Sequence, residues 1–244
     1  MNDDEKLTAK RLTELAGRSY SRGIPCYSDF LTLAEQSLVL KSASGTAYSL
    51  FGGFEGAERC IACFGEDAAL YAPIVCLRIS PLNAKFSDEL SHSDYLGALM
   101  HLGLRRETLG DILLNGGNGY VFCLGSVADF IISELTRIKR TSVAAVREDA
   151  PPADALPAPK PAELVVASER LDAITAAVYR LSRSESQKLF VQEKIFINGR
   201  VCTNSSAAPR EGDVISVRGH GRFVYRGIAR ETRKGRLRVT LEIY

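Results

Sequence analysis

The chain has 244 residues, of which 45% are hydrophobic and 25% are charged, which is enough apolar material for two or three small domains. Its longest apolar runs fall well short of the roughly 20 residues that a membrane-spanning helix needs, and its first residues are charged, so neither a membrane span nor a secretion signal is expected. The six cysteines are irregularly spaced, which favours reduced core thiols in a cytoplasmic protein over a disulfide framework.

The charge is unevenly distributed along the chain. Residues 160–244 contain 16 Lys/Arg and 9 Asp/Glu, a net charge of +7, whereas residues 1–159 carry a net charge of −5. A chain with one strongly basic part is typical of proteins that contact nucleic acid or an anionic membrane surface. The basic C-terminal part therefore indicates one of these two kinds of anionic partner.

Residues 1–72 are predicted to be helical, with short strands at the end. Leucines recur at loosely helical spacing from Leu7 onward, and Ser28 with Asp29 is predicted to cap a second helix. Two alternating segments, 48–51 and 59–64, read as short strands on either side of a glycine-rich connection. The composition changes at residues 72 and 73, where a second domain is expected to begin.

Two motifs in this first region resemble binding sites, and for both a structural interpretation is favoured. Cys60 and Cys63 have the spacing of zinc ligands, but no second Cys/His pair accompanies them, so they are predicted to be core thiols. Residues 52–56 (GGFEG) lack the Lys-Ser/Thr of a phosphate-binding loop and are predicted to form a turn. The sequence assigns no role to the charged residues of this connection, namely Glu55, Glu58 and Arg59.

Residues 73–149 are predicted to alternate as βαββαβ. The strands are expected at 74–79, 109–114, 120–124 and 142–146, and the helices at 91–102 and 127–135. This order is typical of the RNA-recognition-motif sandwich, which hosts many unrelated activities. The aromatic signature of RNA-binding members is absent from residues 120–123. His92 follows Ser91, which forms a predicted capping box with Asp94, so a helix start is favoured over a catalytic role.

Residues 150–162 are predicted to be a linker, because five prolines fall between residues 150 and 161. After it, a helix is expected over 168–180. Ser182 and Glu185 form a second predicted capping box, which starts another helix. The remaining residues are predicted to form short strands, with an Asn198-Gly199 turn and a final hairpin turning at Lys234-Gly235.

Four motifs of this C-terminal part occur in the order found in a known RNA-binding domain. They are Arg170-Leu171-Asp172, Ser182-Arg183, residues 195–201 (IFINGRV) and residues 211–217 (EGDVISV). The string resembles the S4 domain of ribosomal and RNA-modifying proteins. Three further motifs, at 52–59 (GGFEGAER), 90–100 (LSHSDYLGALM) and 218–223 (RGHGRF), extend a resemblance to the YlmH family of S4-domain proteins over nearly the whole chain.

This resemblance completes the expected fold and partners. The predicted fold class is α+β, with an N-terminal helical region bearing short strands, a central RNA-recognition-motif-like domain, and a C-terminal S4 domain over residues 163–244. The resemblance implies association with the large ribosomal subunit, with rRNA and tRNA as RNA partners. It also implies a part in the rescue of stalled translation and an older association with cell division. The sequence does not define the oligomeric state or the ribosomal state bound.

Basic and polar residues of the S4 region are the predicted RNA contacts. The exposed start of its second helix places Arg183 where N–H groups and the helix dipole favour phosphate. Arginine can also grip phosphate with two hydrogen bonds or stack on a base. The full predicted set is Arg170, Arg183, Gln187, Lys188, Arg200, Arg218 and Arg222. Eight basic residues between 218 and 238, against the single acid Glu231, are expected to enlarge this surface. No catalytic residue, metal or cofactor is predicted.

Two other function classes stay open from the sequence. Arg-Leu-Asp also holds the catalytic aspartate of pseudouridine synthases, so Asp172 would be the base or nucleophile of an RNA-modifying enzyme. However, such enzymes usually carry S4 ahead of a large catalytic domain, whereas here only a hairpin follows it. The acidic first part of the chain could instead serve a protein–protein adaptor linked to cell division.

Overall fold

The computed structural model describes residues 3–43, 45–83, 87–232 and 235–244, without the side chains of residues 3 and 4. The chain divides into two compact units, Met1–Leu156 and Pro157–Tyr244. The domain boundary expected near residue 72 lies inside the first unit. Lys234, one of the two residues predicted to turn the final hairpin, lies outside the described residues, as does Arg233.

The N-terminal part of the first unit packs two helices on a small sheet. Its elements are α1 (Asp3–Arg22), β1 (Cys26–Tyr27), α2 (Leu33–Ser42), β2 (Tyr48–Phe51) and β3 (Ile61–Phe64), with strand order β1-β3-β2. Leu12 and Ala16 of α1 are buried against Val39 of α2 and Phe64 of β3. Burying such apolar surface is the main favourable contribution to packing of this kind.

The start of α2 differs from the sequence prediction. Thr32, and not Ser28 or Asp29, caps the helix, because its hydroxyl forms a capping box with Glu35. The Ser28 hydroxyl instead accepts a hydrogen bond of 2.8 Å from the backbone N–H of Ala62. Ser28 therefore joins the chain to β3, a long-range contact that local sequence rules do not reveal.

A five-stranded antiparallel sheet forms the centre of the first unit. Its elements are β4 (Ile74–Pro81), α3 (His92–His101), β5 (Leu109–Asn115), β6 (Asn118–Leu124), α4 (Gly125–Glu134), β7 (Arg137–Ile138) and β8 (Thr141–Glu148), with strand order β5-β6-β4-β8-β7. The predicted βαββαβ order is present, with β7 as an additional two-residue strand. The predicted Ser91–Asp94 capping box is confirmed at the start of α3.

Both faces of this sheet are covered. Alternating strand residues point to opposite faces, and Leu77 and Val121 lie with Tyr95, Leu99 and Ile131 of the two helices. On the other face, buried aromatic residues of β6 pack against the N-terminal part of the unit; the residues concerned are Tyr120 and Phe122 with Phe30, Phe54 and Ile61. A Cβ atom at Gly53, where φ is +98°, would lie 2.3 Å from the Phe122 ring, so this close approach requires glycine.

The second unit packs two helices on a six-stranded antiparallel sheet. Its elements are β9 (Lys160–Val166), α5 (Leu171–Tyr179), α6 (Arg183–Val191), β10 (Ile195–Ile197), β11 (Arg200–Val201), β12 (Val214–Val217), β13 (Gly221–Glu231) and β14 (Leu237–Ile243), with strand order β11-β10-β12-β13-β14-β9. Leu171 and Ile174 of α5 share a core with Phe190 of α6 and with Phe223 and Leu241 of the sheet.

The segment predicted as a linker contains more regular structure than expected. Residues Ala153–Ala155 form a short 3-10 helix, and β9 begins at Lys160, which pairs with Ile243 of β14. The last three residues of the predicted linker, 160–162, are therefore strand. Pro161 is tolerated there because β9 is an edge strand, so its missing N–H need not leave a central ladder unpaired.

Candidate nucleic-acid interface

A buried carboxylate lies at the centre of the predicted RNA-binding residues. Asp172, the second residue of α5, has no exposed surface. Arg170 immediately before the helix donates from Nε to Oδ1 at 3.0 Å and from Nη2 to Oδ2 at 2.9 Å. Such a two-bond pair fixes the plane of the guanidinium group as well as its position. Arg170 is therefore held in one orientation by a carboxylate that solvent does not reach.

The second helix adds an ion pair and one more hydrogen-bond donor to the same carboxylate. Arg183, the first residue of α6, places Nε 3.7 Å from Oδ2, and Gln187 one turn later donates from Nε2 to Oδ2 at 3.4 Å. The Ser186 hydroxyl, also on α6, donates to the backbone carbonyl of Asp172 at 2.8 Å. Three of the predicted RNA contacts, Arg170, Arg183 and Gln187, thus converge on Asp172. We call the side chains of these three residues and of Asp172 the Asp172 cluster.

The electrostatics of the Asp172 cluster favour an outward positive charge. Burial raises the pKa of Asp172, but hydrogen bonds from Arg170 and Gln187 and the charge of Arg170 outweigh it, so the pKa lies below its ordinary value. The carboxylate is therefore ionised at neutral pH. The two arginine side chains retain 35% and 66% exposure against none for Asp172. Two cations around one buried anion leave a net positive charge at the surface.

The start of α6 is already satisfied by its own side chains. Ser182 and Glu185 form the predicted capping box, in which the Glu185 carboxylate accepts from the Ser182 N–H at 2.8 Å and from its hydroxyl at 2.7 Å. These hydrogen bonds hold the pKa of Glu185 below its usual value. An anion at this helix start would therefore meet a carboxylate, and Arg183 is a stronger candidate for phosphate contact than the N–H groups beside it.

Lys188 and Arg200 are not part of the Asp172 cluster. Both are exposed, on α6 and β11 respectively, and neither forms an ion pair with any residue that the structure describes. The sequence predicted that Lys188 and Arg200 line one groove with Arg170. Contacts among these three side chains do not build such a groove.

Arg218 and Arg222 lie on either side of a glycine-containing turn and each faces an aromatic ring. The guanidinium carbon of Arg218 lies 5.4 Å from the Phe196 ring centroid, and that of Arg222 lies 4.4 Å from the Tyr244 centroid. Such cation–π contacts orient an arginine without neutralising it. Gly219 and Gly221 between them have φ of +86° and +121°, which side-chain-bearing residues rarely adopt.

Two arginines of the long basic run after residue 218 form ion pairs with acidic residues in the folded structure. Arg226 pairs with Glu242 at 2.7 Å, and Arg238 pairs with Glu163 at 3.1 Å, so strands β14 and β9 supply acids that lie far away in sequence. Arg233 and Lys234 lie outside the described residues. Sheet pairing thus brings carboxylates beside Arg226 and Arg238, so these two arginines add less positive charge to the surface than the count along the chain indicates.

Arg59 has a structural position in the first unit. Its Nε donates to the Leu109 carbonyl at 3.0 Å, and its Nη2 donates to the Phe30 carbonyl at 3.1 Å. Burial lowers its pKa, against the raising effect of Asp111. This arginine therefore joins the N-terminal segment to β5. Local sequence patterns do not reveal this role, because the partners are backbone atoms of distant residues. Glu55 and Glu58 are exposed.

The other motifs of the first unit occupy ordinary structural positions. Cys60 and Cys63 are both buried, and burial raises the pKa of the Cys63 thiol to about 11. His92 is an exposed residue in the first turn of α3. Within residues 3–43, 45–83, 87–232 and 235–244, no group of three or more His, Cys, Asp or Glu is arranged to hold a metal ion. No helix in these ranges has the length and hydrophobicity to cross a membrane.

The chain is similar to known proteins both in one domain and over most of its length. Residues 75–150 match the family model described as "Putative RNA-binding domain in YlmH", which places the chain in a class of proteins with an RNA-binding domain. The chain is also 30% identical over 228 residues to the "Ribosome-associated protein quality control protein P2" of Bacillus subtilis (strain 168), covering 88% of this chain and 86% of that protein. The chain therefore belongs to the YlmH family, as its motifs predicted.

A solved structure also resembles part of the chain. It is the "Cell division protein ylmH from Streptococcus pneumoniae", which is 19% identical, with a TM-score of 0.49. The match covers 61% of this chain and 93% of that one.

Proposed function

We propose that this protein is a non-enzymatic RNA-binding protein that associates with the large ribosomal subunit in the cytoplasm. Its RNA targets are rRNA and tRNA, and it takes part in the rescue of stalled translation. The observation that carries the proposal is the Asp172 cluster, in which a buried carboxylate holds two outward-facing arginines. The family membership and the ribosome-associated relative from Bacillus subtilis support it.

The second unit is assigned as an S4 domain, with residues 163–244 as its functional extent. Support comes from two short helices packed on one sheet, with the motif residues Asp172 and Arg183 meeting between them. The helices present Arg170 and Arg183 on one surface, and the turn holding Arg218 and Arg222 belongs to the same unit. Residues 73–149 are assigned as an RNA-recognition-motif-like domain, on the basis of the strand order β5-β6-β4-β8.

The mechanism that fits this geometry is binding to RNA without making or breaking a covalent bond. Arginine loses up to about 2 kcal/mol of side-chain freedom when it is fixed, and a side chain already held by Asp172 has less to lose on binding. Two such arginines contact phosphates through the guanidinium edges that do not face Asp172. Phosphate contacts read the shape and backbone of a folded RNA more than its base sequence. The protein would thus stabilise one state of the ribosome by holding RNA elements in place.

The position of Asp172 favours this reading over an RNA-modifying enzyme. A nucleophile or general base has to reach the reacting atom. Asp172 has no exposed surface, and both of its carboxylate oxygens accept hydrogen bonds from Arg170. A substrate nucleotide would have to displace that arginine before it met the carboxylate.

Co-sedimentation with purified large ribosomal subunits tests the proposal. Arg183→Glu places a negative charge where the cluster is positive, so the full-length variant is expected to remain at the top of the gradient while wild type travels with the subunit. Lys160→Glu is the matched control, because it makes the same charge change on an exposed edge strand outside the Asp172 cluster. Crosslinking in the wild-type fractions should recover rRNA or tRNA.

Two results would contradict the proposal. If wild type fails to bind the subunit and no RNA is recovered, the adaptor reading gains support instead. If wild type binds and Arg183→Glu binds equally well, the Asp172 cluster does not form the contact. Mass spectrometry of rRNA and tRNA nucleosides from cells lacking the protein tests the enzymatic alternative, which requires a lost modification that Asp172→Ala does not restore.

A further inference from the structure

The aromatic sheet face of the first unit is closed to RNA bases. RNA-binding sheets recognise single strands by stacking bases on exposed aromatic rings. Here Tyr120 and Phe122 of β6 retain 6% and 2% exposure, and the Phe54 ring lies 4.9 Å from that of Phe122. Any RNA contact by this unit has to use another surface.

The outward face of α1 is strongly basic although the first unit as a whole is acidic. Leu12, Ala16 and Ser19 are buried on one side of the helix. At 3.6 residues per turn, exposed Lys6 and Lys10 lie opposite these residues, and exposed Arg11, Arg18 and Arg22 lie along the adjoining flank of the helix. Glu14 is the one acidic residue between Lys6 and Arg22. A helix face with such one-sided charge attracts polyanions.

The helix that carries these charges is fixed in the unit. The Ser42 hydroxyl donates to the Ala9 carbonyl at 3.3 Å, and the Thr46 hydroxyl donates to the Ala16 carbonyl at 3.3 Å. From Lys10 to Arg22 the helix rises about 18 Å, at about 1.5 Å per residue. Lys10, Arg18 and Arg22 form no ion pair with any residue in the described ranges.

The basic surface continues from α1 onto the loop before β5. Arg11 and Arg105 approach the same carboxylate oxygen of Asp29 at 3.1 and 3.9 Å, and Arg105 also pairs with Glu107 at 2.9 Å. The two arginine side chains nevertheless remain about equally exposed, at 60% and 61%. Arg105 lies within residues 75–150, the part that matches the RNA-binding family model. We define Lys10, Arg11, Arg18, Arg22 and Arg105 as the α1 basic face.

We propose that the α1 basic face is a second RNA-contact surface that binds the phosphate backbone. The proposal rests on the RNA-binding function proposed above and extends it to the first unit. The middle of the face contains exposed Glu14, Gly17 and Ser21. The exposed large apolar side chains of α1, Leu7 and Tyr20, lie about 20 Å apart along the helix and form no common apolar core. Protein interfaces are usually built around a buried core depleted in charge, so this composition favours RNA over a protein partner.

Filter binding of full-length protein to transcribed large-subunit rRNA over a range of salt concentrations tests the proposal. The triple variant Lys10→Gln, Arg18→Gln, Arg22→Gln should bind the rRNA about tenfold or more weakly. The slope of its log affinity against log salt concentration should decrease by an amount that corresponds to about two to three phosphate contacts. The matched control is Lys41→Gln, Lys160→Gln, Arg210→Gln, which removes the same charge from exposed positions outside residues 75–150, the α1 basic face and the Asp172 cluster. Circular dichroism verifies that both variants are folded.

A single substitution gives a result that misfolding cannot imitate. Glu14→Gln removes the one acid from the face, so it should tighten rRNA binding by about two- to fivefold at low salt. If Glu14→Gln has no effect and the triple variant binds like its control, the α1 basic face does not bind RNA.

Parallel measurement of Arg183→Glu separates this proposal from the proposed function. If only Arg183→Glu weakens rRNA binding, the proposed function stands and the α1 proposal fails. If neither variant weakens binding, both fail. If the α1 triple variant loses co-sedimentation with the large subunit but keeps full affinity for rRNA, the face meets a ribosomal protein, and the RNA proposal is overturned.

Discussion

Each unit contains an arginine beside an aspartate. In the first unit the arginine side chain points into the protein, whereas in the second unit the aspartate side chain does. In the first unit, Arg59 directs its guanidinium inward to backbone carbonyls, while Asp111 accepts the N–H groups of Glu58 and Arg59 at 2.6 and 3.1 Å. In the second unit, Asp172 is buried and its arginines face solvent. A partly buried guanidinium that points inward supports the fold, whereas a buried carboxylate leaves cations at the surface for an anionic ligand.

Arg59→Ala should give the largest effect on stability. The substitution removes the arginine donor to the Phe30 carbonyl and one of the two donors to the Leu109 carbonyl, which keeps Arg106 Nη1 at 2.7 Å. Since an unsatisfied buried polar group costs about 1–3 kcal/mol and hydrogen bonds to charged groups are the stronger ones, we expect a loss of about 2–4 kcal/mol of unfolding free energy. Urea unfolding measures it. RNA affinity of the folded fraction should be unchanged, and a specific loss of RNA binding would break the comparison.

Asp172→Asn should destabilise the protein in a pH-dependent manner. Because the folded-state pKa of Asp172 is lowered, its contribution is fully present above the unfolded-state value near 4 and is lost as the pH falls through the folded-state pKa. We expect a cost of about 1–3 kcal/mol at neutral pH. The difference between wild type and variant in urea unfolding should shrink below about pH 4. A difference that grows on acidification would show that the pKa is raised instead.

Glu185→Gln should affect stability and RNA binding in opposite directions. The variant removes a negative charge from the start of α6 and weakens the capping box, so the melting temperature should fall. It also removes a carboxylate near Arg183, so RNA affinity should rise by about two- to threefold. Thermal melts and filter binding measure the two effects. Glu193→Gln, at an exposed position after α6, is the control. It should change neither the melting temperature nor the RNA affinity to the extent expected for Glu185→Gln.

Phe196→Leu should give the smallest effect. The ring faces the guanidinium of Arg218 at 5.4 Å, and an exposed cation–π contact is worth about 0.5–1 kcal/mol. If the ring orients Arg218 for RNA, affinity should fall by about two- to fourfold. The effect should disappear in an Arg218→Gln background. An undiminished effect in that background would assign the loss to packing of the sheet.

The sequence predicted regular elements well wherever the signal was local. The capping boxes at Ser91 and Ser182 and the βαββαβ order of the first unit follow from side-chain types at fixed spacings. The family motifs also identified three members of the Asp172 cluster. Their geometry did not follow from the motifs, because Arg170 and Arg183 meet Asp172 only when two helices pack.

The features that were missed depend on pairing between distant segments. Glu163 and Glu242 neutralise arginines of β13 and β14 through sheet register, which the charge count along the chain cannot show. The cover over Tyr120 and Phe122 comes from residues about 60 to 90 positions earlier, among them Phe30 and Phe54. The basic face of α1 was hidden by averaging its charge with the acidic remainder of the first unit.

A double-mutant cycle between Asp172 and Arg183 tests the central claim most directly. The measured quantity is the affinity of full-length protein for large-subunit rRNA, with Asp172→Asn, Arg183→Gln and the double variant, each verified to be folded. If the buried carboxylate acts by holding the arginine, Asp172→Asn weakens binding about three- to tenfold despite its added positive charge, and this effect is largely absent in the Arg183→Gln background. Tighter binding by Asp172→Asn, or effects that simply add, would contradict the account.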